Sequence, residues 1–389
     1  MNKMNWFKRT FFCVLGMFFF TACGKVSESY KTAMELSNEG EYEKAETYFE
    51  DAIRADGLEP KIYIGYGMTL NHLSKYEEAE TAFSQILKAD TDISDSEKKQ
   101  IYYGETIAFY GQGKYEDVTL VADEALKIKE FSDLDRNLQY TEAIACFLTG
   151  QETKAEELCD ALLSGDASDM EVYMLYGGMK KASGDTDGAV KLYEDAIRKN
   201  KSYFDAYFRL YDCYLDAGQS SAAAELLDHI TSIEAKKSYE MIAVGKAWYY
   251  KGDYDKALSL FEEAYEEKDA DGLFYMSLTK KTSGKLQEAE DGFLSYLSAE
   301  KDHTIPEVYN QLAGIYMERS QYEKAQSMIS QGLAMGDTVA AQNLLRNQVI
   351  LLELTGDYDK ALEVAEEYRK VYTEDAAMKK EISFIKTRR

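Results

Sequence analysis

The chain has 389 residues, of which 45% are hydrophobic and 30% charged, and its formal net charge is −25. A chain of this length can bury a large core. Because so acidic a surface repels phosphate groups, nucleic acid is excluded as a partner. The sequence contains only two prolines, which disfavours long irregular loops, and its abundant Lys, Glu, Ala and Leu favour helices.

The first 23 residues differ in composition from the rest. Lys3, Lys8 and Arg9 provide positive charge without a nearby acid, and an uncharged, mostly apolar stretch follows from Phe11. This stretch is too short for a membrane-spanning helix, which needs about 20 residues. It has the length of the hydrophobic region of a secretory signal. The segment ends in the letters FTAC, in which the last residue is Cys23.

Small residues directly before a cysteine resemble the lipobox of bacterial lipoproteins, although that family usually has Leu where this chain has Phe20. The resemblance implies cleavage before Cys23 and acylation of this cysteine. We therefore expect a signal peptide at 1–22 and a lipidated N-terminus with a short tether at 23–26. The lipid would hold the mature chain on the extracytoplasmic face of the cell membrane. An ordinary cleaved signal with an incidental cysteine is the alternative.

The remainder of the chain repeats one phrase. GEYEKAETYFEDAI begins at Gly40, and closely similar phrases begin at Gly252 and Gly356. Within the phrase, a small residue recurs with a commonest spacing of 34 residues, at Ala45, Ala79, Val118, Ala155, Ala189, Ala223, Ala257, Ala289, Ala325 and Ala361. A Gly or Ser stands five positions earlier in every copy: Gly40, Ser74, Gly113, Gly150, Gly184, Gly218, Gly252, Gly284, Ser320 and Gly356.

Ten copies in this register resemble the tetratricopeptide repeat, a pair of antiparallel helices. The resemblance implies an all-α fold: a right-handed superhelical solenoid of about ten helix pairs over 27–372, with a C-terminal capping helix at 373–389. The Gly or Ser would end the first helix of each pair, and an aromatic such as Phe261 would fill the wedge between pairs. Pro60 and Pro306 fall at the first position of a repeat, where a missing N–H is tolerated.

Residues that could carry catalysis are not grouped in the sequence. His72, His229 and His303 lie in separate repeats, and zinc, phosphate-loop and serine-hydrolase motifs are missing. We therefore expect no enzymatic activity, no cofactor and no metal site. Cys146 and Cys159 occupy positions that face each other in the tetratricopeptide repeat. A disulfide between them is one alternative, and two small buried thiols are the alternative that we favour.

The resemblance also implies where a partner binds, since the first helices of tetratricopeptide arrays line a concave groove. The groove positions of the middle repeats are unusually aromatic here and lie beside acids. We expect the partner-binding groove to contain Tyr103, Tyr110, Tyr140, Phe147, Phe208, Asp212, Asp216, Tyr249, Tyr250 and Phe274. For each aromatic, packing against a neighbouring repeat is the alternative. The Lys and Asn with which some family members bind a terminal carboxylate are absent, so a bound peptide is expected to be apolar or basic.

Together these expectations describe a non-enzymatic, membrane-anchored protein that binds a protein or peptide partner in its groove and scaffolds an envelope complex. An alternative from another class is a glycan- or peptidoglycan-binding cell-wall module, because tyrosines beside carboxylates also hold sugars. A third alternative is an array that serves mainly as a spacer.

Overall fold

The computed structural model describes residues 27–299, 305–335, 338–372 and 375–388. Within these ranges all regular structure is helical, in twenty-one α-helices and one short 3-10 turn at Ser132–Leu134. The expected all-α class is therefore confirmed. The predicted signal peptide, Cys23 and the short tether all lie outside the described residues, as does His303. No helix in the described part of the chain combines the length and the apolarity needed to cross a bilayer.

Contacts between residues divide the chain into two compact units, whose described parts are 27–176 and 177–388. The boundary falls inside helix α9. The first unit contains α1 (Glu28–Asn38), α2 (Tyr42–Asp56), α3 (Pro60–His72), α4 (Tyr76–Leu87), α5 (Asp95–Gln112), α6 (Tyr115–Lys127), α7 (Asp135–Leu148), α8 (Glu152–Gly165) and the start of α9 (Met170–Ala182).

The second unit contains the end of α9 and twelve further helices. These are α10 (Thr186–Lys199), α11 (Phe204–Asp216), α12 (Ser220–Thr231), α13 (Ser238–Tyr250), α14 (Tyr254–Glu266), α15 (Ala270–Thr282), α16 (Leu286–Ala299), α17 (Pro306–Glu318), α18 (Tyr322–Ala334), α19 (Thr338–Leu354), α20 (Tyr358–Val371) and α21 (Ala376–Lys386). Helices α1 to α20 form ten consecutive pairs, and α21 follows the last pair, as the repeat pattern predicts. Pro60 and Pro306 are the first residues of α3 and α17.

A left-handed residue ends the first helix of every pair. Eight of the ten turn residues are glycines with positive φ, among them Gly113 at 75° and Gly252 at 80°. The other two, Ser74 and Ser320, adopt φ values of 58° and 57°. In this conformation the N–H of the following residue can donate to a carbonyl in the last turn of the helix. Asp253 N, for example, donates to Trp248 O at 3.0 Å. The predicted role of the Gly or Ser is therefore confirmed.

The small residue of the phrase is buried in all ten copies, with at most 2% of its surface exposed. Near this small residue, an aromatic ring of the second helix packs against glycines of the first helices. A Cβ added to Gly104 in α5 would lie 2.2 Å from Cζ of Phe83, and one added to Gly67 in α3 would lie 2.4 Å from the same atom. Phe83 thus fills the wedge between two helix pairs, as Phe261 does against Gly245.

Helix α21 covers the apolar end of the second unit. Met378, Ile382 and Ile385 are buried against α19 and α20. Asp375 caps the helix by accepting from the N–H of Met378 at 3.1 Å, and its carboxylate pairs with Arg346 of α19 at 2.6 Å. An array of helix pairs needs such a cover because its last pair would otherwise expose an apolar face to water.

The wedge contact can be tested with Gly104→Ala. Alanine is the better helix former, but its methyl group would overlap the Phe83 ring. We expect a loss of about 1–3 kcal/mol in the free energy of unfolding, the usual cost of overpacking, measured by urea unfolding. Gly165→Ala is the matched control, because nothing lies within 4 Å of its added Cβ. We expect this control to lose no stability. An equal gain in the free energy of unfolding from both changes would show that the Phe83 ring does not restrict the space beside Gly104.

Candidate functional site

The structure separates the ten predicted groove residues into a buried and an accessible set. Five side chains are buried, with at most 6% of their surface exposed: Tyr103, Tyr110, Tyr140, Phe147 and Phe274. The expectation of an open position does not hold for these five, because side chains of neighbouring helices cover them. Phe274, for example, packs against Tyr275 of its own helix and against Phe293 and Tyr296 of α16, at ring-centre distances of 5.1, 5.8 and 6.3 Å.

The other five lie close together on α11 and α13 of the second unit: Phe208, Asp212, Asp216, Tyr249 and Tyr250. Tyr250 is 48% exposed and stacks on Tyr211, with ring centres 5.3 Å apart and planes 29° from parallel. The ring of Phe208 also contacts Tyr250, with ring centres 6.0 Å apart. We name the surface formed by Phe208, Tyr211, Tyr249 and Tyr250 the aromatic groove.

Helix α15 completes one wall of the aromatic groove. The hydroxyl groups of Tyr249 and Thr282 share a hydrogen bond of 2.8 Å, which ties the end of α13 to the end of α15. Side chains of α11, α13 and α15 also surround an open cavity of about 320 Å³ next to Phe208. Its walls include Phe204, Asp205, Phe208, Tyr239, Lys246 and Tyr275. A cavity of this size can accept a single side chain of a partner.

Lys246 lies in the wall of this cavity with its ammonium group over two aromatic rings. Its Nζ is 4.2 Å from the ring centre of Phe208 and 5.3 Å from that of Tyr275. Burial lowers the pKa of Lys246, while the charges of Asp205 and Asp271 oppose this shift. In the described part of the chain, no oxygen lies within hydrogen-bonding or ion-pair distance of this ammonium group. Its donors are therefore available to a ligand in the cavity.

Asp212 lies one turn after Phe208 on α11 and carries a charge opposite to that of Lys246. Partial burial raises the pKa of this carboxyl, and the nearby charges of Lys181 and Arg209 oppose the shift. Its charge in turn contributes to the raised pKa values of Tyr211 and Tyr250, whose main cause is burial. The amine of Lys181 pairs with Asp216 at 2.8 Å, and across the described ranges no cation pairs with Asp212.

Several residues of this site were not among the predicted ones, and they include Tyr211, Asp205, Lys246 and Tyr275. A signal for Lys246 exists in the sequence, because it is the only charged residue in the apolar run MIAVGKAWYY. Asp205 lies in the first turn of α11, where an acid also complements the helix dipole. Its sequence position therefore does not distinguish a binding role from a structural one.

The first unit has buried polar groups of a different kind. The fully buried Lys99 donates to Ile128 O at 2.8 Å and pairs with Asp135 at 2.5 Å. Lys154 pairs with the buried Glu142 at 2.5 Å. These pairs connect neighbouring helices, so we assign them a structural role.

The described cysteines, Cys146, Cys159 and Cys213, are buried, and no disulfide joins Cys146 to Cys159, as we favoured. Burial raises the pKa of Cys146 to about 11, so this thiol is protonated and unreactive at neutral pH. In the ranges that the structure covers, no group of His, Cys, Asp and Glu side chains is arranged to hold a metal ion.

Comparison with known families supports the repeat assignment. Two family models described as tetratricopeptide repeat match residues 30–92 and 181–242, so that one match falls in each unit. These segments are recognised as tetratricopeptide repeats, which generally bind protein partners and typically serve as non-catalytic scaffolds. The general transcriptional corepressor trfA of Dictyostelium discoideum is 25% identical over 130 residues, which are 32% of this chain and only 9% of that relative.

Three solved structures are similar over much of the chain. A tetratricopeptide repeat protein from Parabacteroides merdae matches 65% of this chain and 99% of its own at 16% identity, with a TM-score of 0.43. PilW, a type IV pilus biogenesis factor, matches 52% of this chain and 91% of its own at 16% identity and a TM-score of 0.44. A chain of the Cut9–Hcn1 complex matches 92% and 83% at 12% identity and a TM-score of 0.44.

The buried Glu105 of α5 provides a test of the polar interior of the first unit. Burial raises the pKa of Glu105 from 4.5 to about 7, Glu80 adds to the shift and Lys88 opposes it. The folded state holds this proton more tightly than the unfolded chain does. The contribution of Glu105 to the free energy of unfolding therefore falls as the pH rises from about 4.5 to about 7, and it is constant above that range. At pH 8 the ionised carboxylate costs about 3 kcal/mol.

We expect Glu105→Gln, which mimics the protonated acid, to stabilise the protein at pH 8 by up to about 3 kcal/mol and to change little at pH 4.5. Urea unfolding at the two pH values measures this difference. Glu116→Gln, on the exposed face of α6, is the control and should keep the parent profile. A Glu105→Gln variant that is equally destabilised at both pH values would show that the carboxyl is not the source of the pH dependence.

Proposed function

We propose that this protein is a non-enzymatic, lipid-anchored scaffold that binds a protein partner in the aromatic groove of α11, α13 and α15. In this proposal the bound partner is assembled into a complex at the cell envelope. The observation that carries the proposal is a set of partly exposed tyrosines, led by Tyr250, on helices whose opposite faces form the core. Tetratricopeptide repeats generally bind protein partners, and aromatic side chains contribute the largest share of binding energy at protein interfaces.

The composition of the groove supports a protein rather than a small anionic ligand. Asp205, Asp212 and Asp271 lie on or beside it, and the chain as a whole carries a net charge of −25. Such a field attracts basic partners and repels acidic ones. The aromatic surface next to these acids favours segments that also carry apolar side chains.

The anchoring part of the proposal rests on the first 23 residues. The basic start, the short apolar stretch and the FTAC ending are those of a lipoprotein signal. The first described helix begins at Glu28. Five residues after Cys23 can extend over at most about 17 Å, so a lipid on Cys23 would keep the first repeat close to the membrane surface.

The partner site can be tested with the double variant Tyr249→Ala and Tyr250→Ala in the full chain. We expect this variant to lose at least about tenfold in partner binding, because buried interface tyrosines typically contribute 2 kcal/mol or more. Crosslinking and affinity capture from the native envelope, followed by titration of each captured protein, measure the loss.

The matched control is Tyr48→Ala with Tyr265→Ala, which removes two tyrosines that are similarly exposed but lie on second helices, α2 and α14. It should retain the partner. Equal loss from both double variants would indicate unfolding or nonspecific contact, and a partner retained by the groove variant would refute the site. Unfolding curves of both variants control for stability.

The anchor can be tested with Cys23→Ser. We expect this variant to lose incorporation of a labelled fatty acid and to leave the membrane fraction, because the serine cannot accept the lipid that the cysteine carries. Cys13→Ser, within the apolar stretch, is the control and should be labelled like the parent chain. Labelling that persists in Cys23→Ser would show that the chain is acylated elsewhere.

A further inference from the structure

We infer that the aromatic groove recognises an extended segment with two side chains at a fixed separation. One is an arginine or lysine that stacks on Tyr250 and pairs with Asp212, and the other is an uncharged side chain, two or three residues away, that enters the cavity beside Lys246. The inference rests on the proposed function, because it specifies what the groove of the scaffold binds.

The position for the basic side chain combines a ring and a carboxylate. Tyr250 is about half exposed, while Tyr211 and Phe208 support the ring from within the protein. A guanidinium on the open face of a tyrosine gains a cation–π contact. Asp212 directly follows Tyr211, the residue on which Tyr250 stacks. In the described chain no cation lies within ion-pair distance of Asp212, although the charges of Lys181, Arg209 and Lys246 act on it. An incoming cation therefore satisfies a carboxylate that the protein itself leaves without an ion pair.

The neighbouring acid is already satisfied, which singles out Asp212. Asp216 lies one turn further along α11, and Lys181 pairs with it at 2.8 Å. The same helix thus presents one occupied and one unoccupied carboxylate to the groove. The pair provides an internal comparison when Lys181 is replaced together with Asp216, because a lysine freed from Asp216 would act on Asp212.

The charges around the cavity do not by themselves select a side chain of one sign. Lys246 lies among the acids Asp205, Asp269 and Asp271, so a charged side chain of either sign would meet a like charge as well as an opposite one. The walls formed by Phe204, Phe208 and Tyr275 favour an apolar group. The Lys246 ammonium can donate to a main-chain carbonyl of the bound segment, because backbone acceptors are uncharged and every residue carries one.

Phe208 sets the separation between the two positions because it belongs to both. Its ring centre is 6.0 Å from that of Tyr250 on one side and 4.2 Å from Lys246 Nζ on the other. The Tyr250 ring centre and Lys246 Nζ are therefore at most about 10 Å apart, and an extended chain covers about 3.3 Å per residue. The basic and the uncharged side chains should accordingly be two or three residues apart in the partner.

The test uses the full chain and a set of fluorescent peptides with blocked ends. Each peptide contains glycine and serine, one arginine and one leucine, and the separation of the last two residues varies from one to six positions. We expect separations of two and three to bind about tenfold more tightly than a separation of six. Replacing arginine with citrulline, which keeps its shape without its charge, should remove this advantage. Fluorescence polarisation measures the dissociation constants.

Asp212→Asn should reduce the preference for arginine over citrulline severalfold, to what the ring contact alone provides. Asp216→Asn combined with Lys181→Gln should not reduce the preference. Equal binding of arginine and citrulline peptides, or binding independent of separation, would overturn the inference. So would peptides that fail to bind the parent chain. If the native partner is lost from the Tyr249 and Tyr250 variant but binds Asp212→Asn normally, the groove function stands and the proposed recognition is wrong. If the partner is retained by both variants, the proposed function itself fails.

Discussion

The structure depends on one contact, in which an aromatic ring on a second helix packs against first helices that carry no side chain at that point. Phe83 shows it most clearly, because its ring lies against both Gly67 in α3 and Gly104 in α5. A single helix pair would leave half of this ring in water, so each pair is stable only when the next pair covers it. The stacking of repeats is thus a consequence of side-chain size.

The turn residues allow this contact to recur in each helix pair of a unit. Because Gly252 and its equivalents adopt a left-handed conformation, the second helix folds back directly onto the first. In the second unit, this repeated connection brings the first helices α11, α13 and α15 beside one another, as the ring contacts between Phe204 and Tyr239 and between Lys246 and Tyr275 show. The groove therefore results from the same regular stacking of helix pairs that buries the core.

The repeat could be predicted from the sequence because its signals are local and recur, as with the small residue that is buried in every copy. Exposure at the groove could not be predicted in the same way. Tyr140, Phe208 and Phe274 each lie ten residues before the turn glycine of their repeat. Phe274 is buried by rings of α16, and the guanidinium of Arg136 lies 4.9 Å from the ring centre of Tyr140. Phe208 borders an open cavity instead, because its neighbours differ and a repeat pattern does not encode neighbours.

Lys246 is a residue that the proposed site needs and the fold does not. A methionine at this position could pack on Phe208 and Tyr275 without the cost of burying an ammonium group, which the lowered pKa of Lys246 reflects. The repeat imposes no lysine here, since the equivalent position is Ile107 in α5, Ile144 in α7 and Leu278 in α15. Residues that break a local rule without serving the core are expected at functional sites. Lys246 lies in the wall of an open cavity, where its ammonium group can donate to a ligand.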